Sequence, residues 1–182
     1  MRLIAEVLVP PLVQVFTSHH IPTILRTSAI SLLSDSVNVN SLALLPYAVN
    51  LSEAMIDLLQ VESQPEITKP QMQCSESTKG GGKDQSQATT VFQPMSTDSK
   101  LPPIRRAALH FLTLLLRASI AAVYDSGYHG RLFLGSQVKR TKTTLTYIGS
   151  TDKDSVVRVM AREAIEEINQ LTEANMEQYF RN

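Results

Sequence analysis

Tryptophan is absent from this chain of 182 residues, and Cys74 is its one cysteine. A single thiol excludes an intramolecular disulfide and fits a reducing compartment. Phe and Tyr supply only 5% of the residues, so a core must be aliphatic. An excess charge is missing too: 17 basic side chains balance 17 acidic ones, and no global field favours nucleic acid or an anionic membrane. The N-terminal residues Met1 to Glu6 are followed by Pro10-Pro11 without a small-residue cleavage site, which predicts no signal peptide. The longest apolar run, from Ala107 to Val123, carries His110 and Arg117. A central arginine in a membrane span costs about 2.5 kcal/mol or more, so this run reads as a buried helix.

What the chain does have is a short pattern written three times. Leu25-Arg26-Thr27-Ser28-Ala29, Ile104-Arg105-Arg106-Ala107-Ala108 and Val157-Arg158-Val159-Met160-Ala161 each place an alanine three residues after an arginine that follows an apolar residue. A further pair stands at the next turn: Leu32/Leu33, Phe111/Leu112 and Ala164/Ile165. Small alanines allow close helix approach, and the pattern suits the inner helix of a stacked helical repeat.

Apolar residues at helical spacing fill in the rest. Ile4, Leu8, Leu12, Val15 and Phe16 predict one helix, with Pro10-Pro11 as a kink or late start. Leu25, Ala29, Leu32 and Leu33 predict a second after Pro22; Leu45, Ala48, Val49, Ile56 and Leu59 predict a third with Pro46 in its first turns. Residues 62–101 offer little to bury and are rich in Ser, Thr, Gln, Lys and Pro around Gly80-Gly81-Gly82, which predicts a disordered insertion. Pro102-Pro103 opens a helix apolar on most sides, ended by Asp125-Ser126-Gly127. Leu134, Val138, Leu145 and Ile148 fit a helix despite the strand-favouring run from Thr141 to Tyr147. The last helix is capped by Asp154 or Ser155, with Val157 to Leu171 lining its core side and Glu163, Glu166 and Glu167 its solvent side.

The arginines of the pattern lie 79 and then 53 residues apart, against about 40–47 residues per repeat in HEAT and armadillo proteins. Removing the insertion brings the longer interval into range. The expectation is therefore an all-α, HEAT/armadillo-like α-solenoid of about three helical pairs. Residues 1–61 form the first pair and the first helix of the second, 62–101 the loop, 102–172 the rest of the stack and 173–182 a tail.

Chemistry is hard to find. Lys79-Gly80-Gly81-Gly82-Lys83 fails the phosphate-loop spacing, with Ser77 where glycine is needed and Asp84 where a hydroxyl should bind magnesium. His19-His20 are adjacent and do not converge on a metal, and Cys74 has no histidine at motif spacing. Lys139, Arg140 and Lys142 read as a surface patch, and the acceptor motif Asn50-Leu51-Ser52 falls inside a helix. No catalytic, cofactor-binding or metal residue is expected, and no cofactor. The repeated arginines read as structural, each pairing near its helix start with a carboxylate or carbonyl, with Asp152 or Asp154 as candidates for Arg158.

The strings Ile24 to Leu33, Leu44-Leu45-Pro46-Tyr47-Ala48, Asp57-Leu58-Leu59-Gln60 and Pro102 to Ala108 with His110 resemble the C-terminal region of one family. These are the fungal RNA polymerase II assembly and nuclear-import factors and their animal counterparts, named for transport and Golgi organisation. The resemblance implies a HEAT-like, non-catalytic binding scaffold cut from a longer protein. Polymerase subunits or nuclear-transport factors would be its partners, in a cytoplasm from which it shuttles to the nucleus. Nucleic acid and membrane are not expected as partners. The rival reading is a Golgi or secretory-pathway protein held to membrane by residues 107–123.

Overall fold

The computed structural model describes residues 2–64, 102–126 and 135–181. Most of the expected insertion lies outside these residues, as do Cys74, the glycine-rich stretch and Gly127. Among the described residues all regular structure is helical: α1 (Arg2–Thr17), α2 (Thr23–Val39), the short α3 (Ser41–Leu44), α4 (Ala48–Glu62), α5 (Pro102–Ser126), α6 (Gly135–Thr151) and α7 (Ser155–Arg181).

Local chemistry sets the boundaries. Pro22 precedes α2 with φ −53 and ψ 140, and its carbonyl accepts the first N–H groups of the helix, from Leu25 and Arg26. Asn40 leaves α2 with φ −151, an extended residue that starts the turn into α3. Pro46 falls in a 3₁₀ turn, Leu45–Tyr47, where its missing N–H costs nothing, and α4 begins just after it. Pro10 and Pro11 neither stop nor delay α1, which runs through both while Val9 and Phe16 anchor it in the core. Between α6 and α7, an Asp152 carboxylate oxygen accepts the N–H of Asp154 at 2.9 Å. Asp154 in turn accepts the N–H of Val157 at 3.0 Å, an N-cap on α7.

The helices form two rows. In one, α5 lies between α2 and α7 and packs on both; in the other, α4 touches α1 and α6. Each helix of the second row also packs on its chain neighbour in the first, α1 on α2, α4 on α5 and α6 on α7. The motif alanines Ala29, Ala108 and Ala161 are all buried. The central helix is the most enclosed, with Ile104, Leu109, Phe111, Leu112, Leu115 and Leu116 fully covered. This is the physical counterpart of a stretch apolar on most sides.

Four expectations need correction. Glu62, assigned to the loop for its polarity, is the last residue of α4 and 2% exposed. Residues 173–181, expected as a tail, continue α7 to Arg181, with Ala174 buried. Leu25 and Leu32, expected in the core, are 56% and 51% exposed, whereas Leu33 is buried. Glu167, expected on a solvated face, is 8% exposed because it turns toward α5.

Candidate functional site

Ion pairs at the helix ends are the most specific chemistry among the described residues. Arg26, at the start of α2, is 1% exposed. Its Nε donates to the Phe16 carbonyl at 2.9 Å and its Nη1 to Glu62 at 2.9 Å, so it joins the ends of α1 and α4. Among the described residues, its Nη2 and the second Glu62 oxygen have no hydrogen-bond partner. His19 Nδ1 lies 3.8 Å from the same carboxylate at the more exposed edge.

Arg105, at the start of α5, repeats the arrangement. Its Nε lies 2.8 Å from one oxygen of Asp152 and its Nη2 donates to the other at 3.1 Å, a two-pronged pair with side chains 8% and 3% exposed. Next to it, Arg106 donates to Asp154. That hydrogen bond is the main cause holding the Asp154 carboxyl below the usual aspartate range; the Val157 N–H adds to it.

Arg158, the third arginine, uses carbonyls instead of carboxylates: its Nη1 donates to the Asp152 carbonyl at 2.7 Å and to that of Lys153 at 3.2 Å. The side chains of Asp152 and Asp154, its candidates from sequence, are held by Arg105 and Arg106. Arg162 donates to the Gly149 carbonyl at 3.1 Å, closing α7 onto the end of α6.

Arg117 bridges α5 to α7, with Nε to Glu167 at 2.7 Å and Nη2 to Glu163 at 2.6 Å. The Glu167 hydrogen bond is the largest cause raising its pKa above the ordinary arginine value. Arg117 is half exposed, so solvent screens the pair and its contribution to stability is small. Arg140, from the predicted basic patch, donates to Asp57 and to Gln60 at 2.8 Å, and Gln60 donates to Thr144 at 2.9 Å. These polar contacts tie α6 to α4.

An open groove of about 540 Å³ runs along α2 beside the start of α5, lined by Ile24, Thr27, Ser28, Ser31, Asp35 and Pro103 among others. It is shallow and carries one charge, and nothing there pairs a nucleophile with a base. Among the described residues no group of three or more His, Cys, Asp or Glu could hold a metal ion. His19 and His20 sit exposed in the α1–α2 turn, and Ser52 of the acceptor motif is buried inside α4. Glu62, Arg106 and Arg117 were missed as partners in the sequence. The signal for Glu62 was an acid ending an apolar helical stripe, a place where charge survives only if paired.

Two segments, Ser41–Glu62 and Pro102–Asp125, are long and apolar enough to cross a membrane by length and composition, with 50% and 61% of their most apolar windows buried against the rest of the chain. No protein-family model, no curated protein and no solved structure matches this chain.

Proposed function

We propose that this chain is a HEAT/armadillo-like α-solenoid of three helical pairs, α1/α2, α4/α5 and α6/α7, acting as a non-catalytic protein-binding scaffold. The observation that carries the reading is a repeated joint. The motif arginine of one pair takes its acid from the end of the next pair's first helix: Arg26 from Glu62, then Arg105 from Asp152. Stacked repeats bury a continuous core because each unit supplies the covering its neighbour lacks, and a shared polar joint fixes their register.

The more specific proposal is that the scaffold belongs to a longer factor for RNA polymerase II assembly and nuclear import, cytoplasmic and shuttling to the nucleus, with polymerase subunits or transport factors as partners. It rests on the resemblance of residues 24–33, 44–48, 57–60 and 102–110. Affinity purification of the tagged chain from cytosol, with mass spectrometry of co-purifying proteins, tests it. Polymerase subunits or transport factors are the expected result; coat or Golgi proteins would replace it with the trafficking reading. The position of α5 between α2 and α7 favours the scaffold, because a membrane-inserted α5 would have to surrender those contacts. Carbonate extraction should release the chain from membranes.

A further inference from the structure

The three motif arginines meet different surroundings. Arg26 makes two kinds of contact: its Nε donates to the Phe16 carbonyl at the end of the preceding helix, and its Nη1 to Glu62 at the end of the following long helix. Arg105 takes its carboxylate from Asp152, just past the end of α6. Arg158 makes only the first kind of contact. Its Nη1 donates to the Asp152 and Lys153 carbonyls behind α6, and among the described residues no carboxylate pairs with it. Asp152 and Asp154, the acids nearest in sequence, are held by Arg105 and Arg106. Arg162, one turn on, also donates to a carbonyl, that of Gly149.

The stripe beyond each arginine shows the same contrast. At steps of four, three and four residues, α2 places Ile30, Leu33 and Val37 after Arg26, and α5 places Leu109, Leu112 and Leu116 after Arg105; all are buried. Residues at such steps share one face of a helix. The same steps on α7 give Arg162, Ile165 and Asn169 after Arg158, with Arg162 exposed and the other two half-buried. Two positions that are aliphatic on α2 and α5 are a cation and an amide on α7, so this stripe is polar enough to stand in water.

Building on the stacked pairs proposed above, we infer that this stripe of α7 docks a helical segment of another protein, one whose carboxylate answers Arg158 and Arg162 as Glu62 answers Arg26. Three observations select that occupant. Arg26 and Arg105 show twice within this molecule what meets an arginine at this position: an acid at a helix end. Two neighbouring arginines without carboxylate partners among the described residues, with exposed Lys153 beside them, make the patch cationic, and an acidic group is its complement. Val159, 60% exposed, and half-buried Ile165 add apolar surface for the partner helix. Of the acids on α7, Glu163 and Glu167 turn to Arg117 on the α5 side, and Glu166, exposed one turn beyond Arg162, bounds the cationic patch. A second copy is a poor fit. Its first helix ends in Phe16-Thr17 and runs into Ser18-His19-His20, with no acid to offer.

A photo-crosslinking phenylalanine analogue in place of Val159 of the tagged 182-residue chain, irradiated in cytosol, tests this. The expected adduct joins another protein at a peptide that carries Asp or Glu, read by mass spectrometry. Arg158→Gln/Arg162→Gln should lower its yield roughly tenfold or more, the worth of a charge-assisted hydrogen bond, with helicity by circular dichroism unchanged. Arg158→Glu combined with the partner's acid changed to arginine should restore it. The same analogue in place of Val7, 66% exposed on α1, serves as control, and its adducts should ignore the arginine variants. If the double variant loses helicity, Arg162→Gln alone, at an exposed position, should still weaken the adduct several-fold. Adducts insensitive to both arginines, or an adduct with a second copy of the chain, overturn the inference. Absence of an adduct at position 159 while partners still co-purify overturns it alone and leaves the scaffold standing; a chain that recovers no partner at all overturns both.

Discussion

Arg26 and Glu62 meet at 2.9 Å with both side chains 1% exposed, although 36 residues separate them in the chain. Removing one partner leaves the other charge buried and alone. Arg26→Met and Glu62→Leu singly should each destabilise the fold by about 3–5 kcal/mol in urea unfolding, while the double variant recovers most of that loss. Single variants within about 0.5 kcal/mol of the parent would show that the pair is not buried in solution.

Burial should also separate the strength of two other arginine pairs. Arg105–Asp152 is nearly covered, whereas Arg140 and Asp57 are 46% and 58% exposed. Double-mutant cycles should give a coupling of about 1.5–3 kcal/mol for the first and under about 1 kcal/mol for the second. Equal couplings would remove burial as the deciding factor.

Gly149 lies where α6 crosses α7. A Cβ there would stand 3.4 Å from Arg162 Cγ and 3.8 Å from Ala161 Cβ, which is ordinary contact. Gly149→Ala should therefore be tolerated and gain up to about 1 kcal/mol from helix propensity. Gly149→Leu has no room beyond that first carbon and should lower the melting midpoint by pushing α7 away. A neutral leucine would mean that the contact is looser than its geometry implies.

Acid should release the start of α7. The folded Asp154 carboxyl titrates below its unfolded value because Arg106 and the Val157 N–H hold its charged form. A lowered folded pKa contributes stability that is complete above the unfolded value, about 3.9, and is lost as pH falls through the folded one. Asp154→Asn keeps a side-chain oxygen for the cap but loses the charge, so the stability difference between parent and variant should shrink on going from pH 6 to pH 3. A constant difference would rule out the ion pair as its origin.

Much of this was legible in the sequence, and the failures share a cause. The periodic stripes located α2, α5, α6 and α7, and the repeated Arg/Ala pattern fell on α2, α5 and α7, with Ala29, Ala108 and Ala161 all buried. Thr-rich residues 141–147 formed helix despite strand propensity because Thr141, Thr144, Leu145 and Ile148 are covered by neighbouring helices. Glu62 was lost to the loop because polarity alone cannot tell a solvated acid from a buried one; its partner arrives 36 residues away. Leu25 and Leu32 looked like core because periodicity reports which residues share a face and is silent on whether another helix covers it.

The joints at Arg26 and Arg105 carry one further consequence. If the pairs stack as proposed, each of these arginines is answered by an acid from the following pair, so order along the chain is written into the pairing itself. Excising α4 and α5 together would bring Arg26 opposite Asp152, an acid of the same kind at an equivalent helix end. Excising α4 alone would leave Arg26 with the Phe16 carbonyl but no carboxylate to balance its charge. On the proposed stack of pairs, the middle of this protein would shorten by whole pairs only, because a half-pair leaves one buried charge uncompensated.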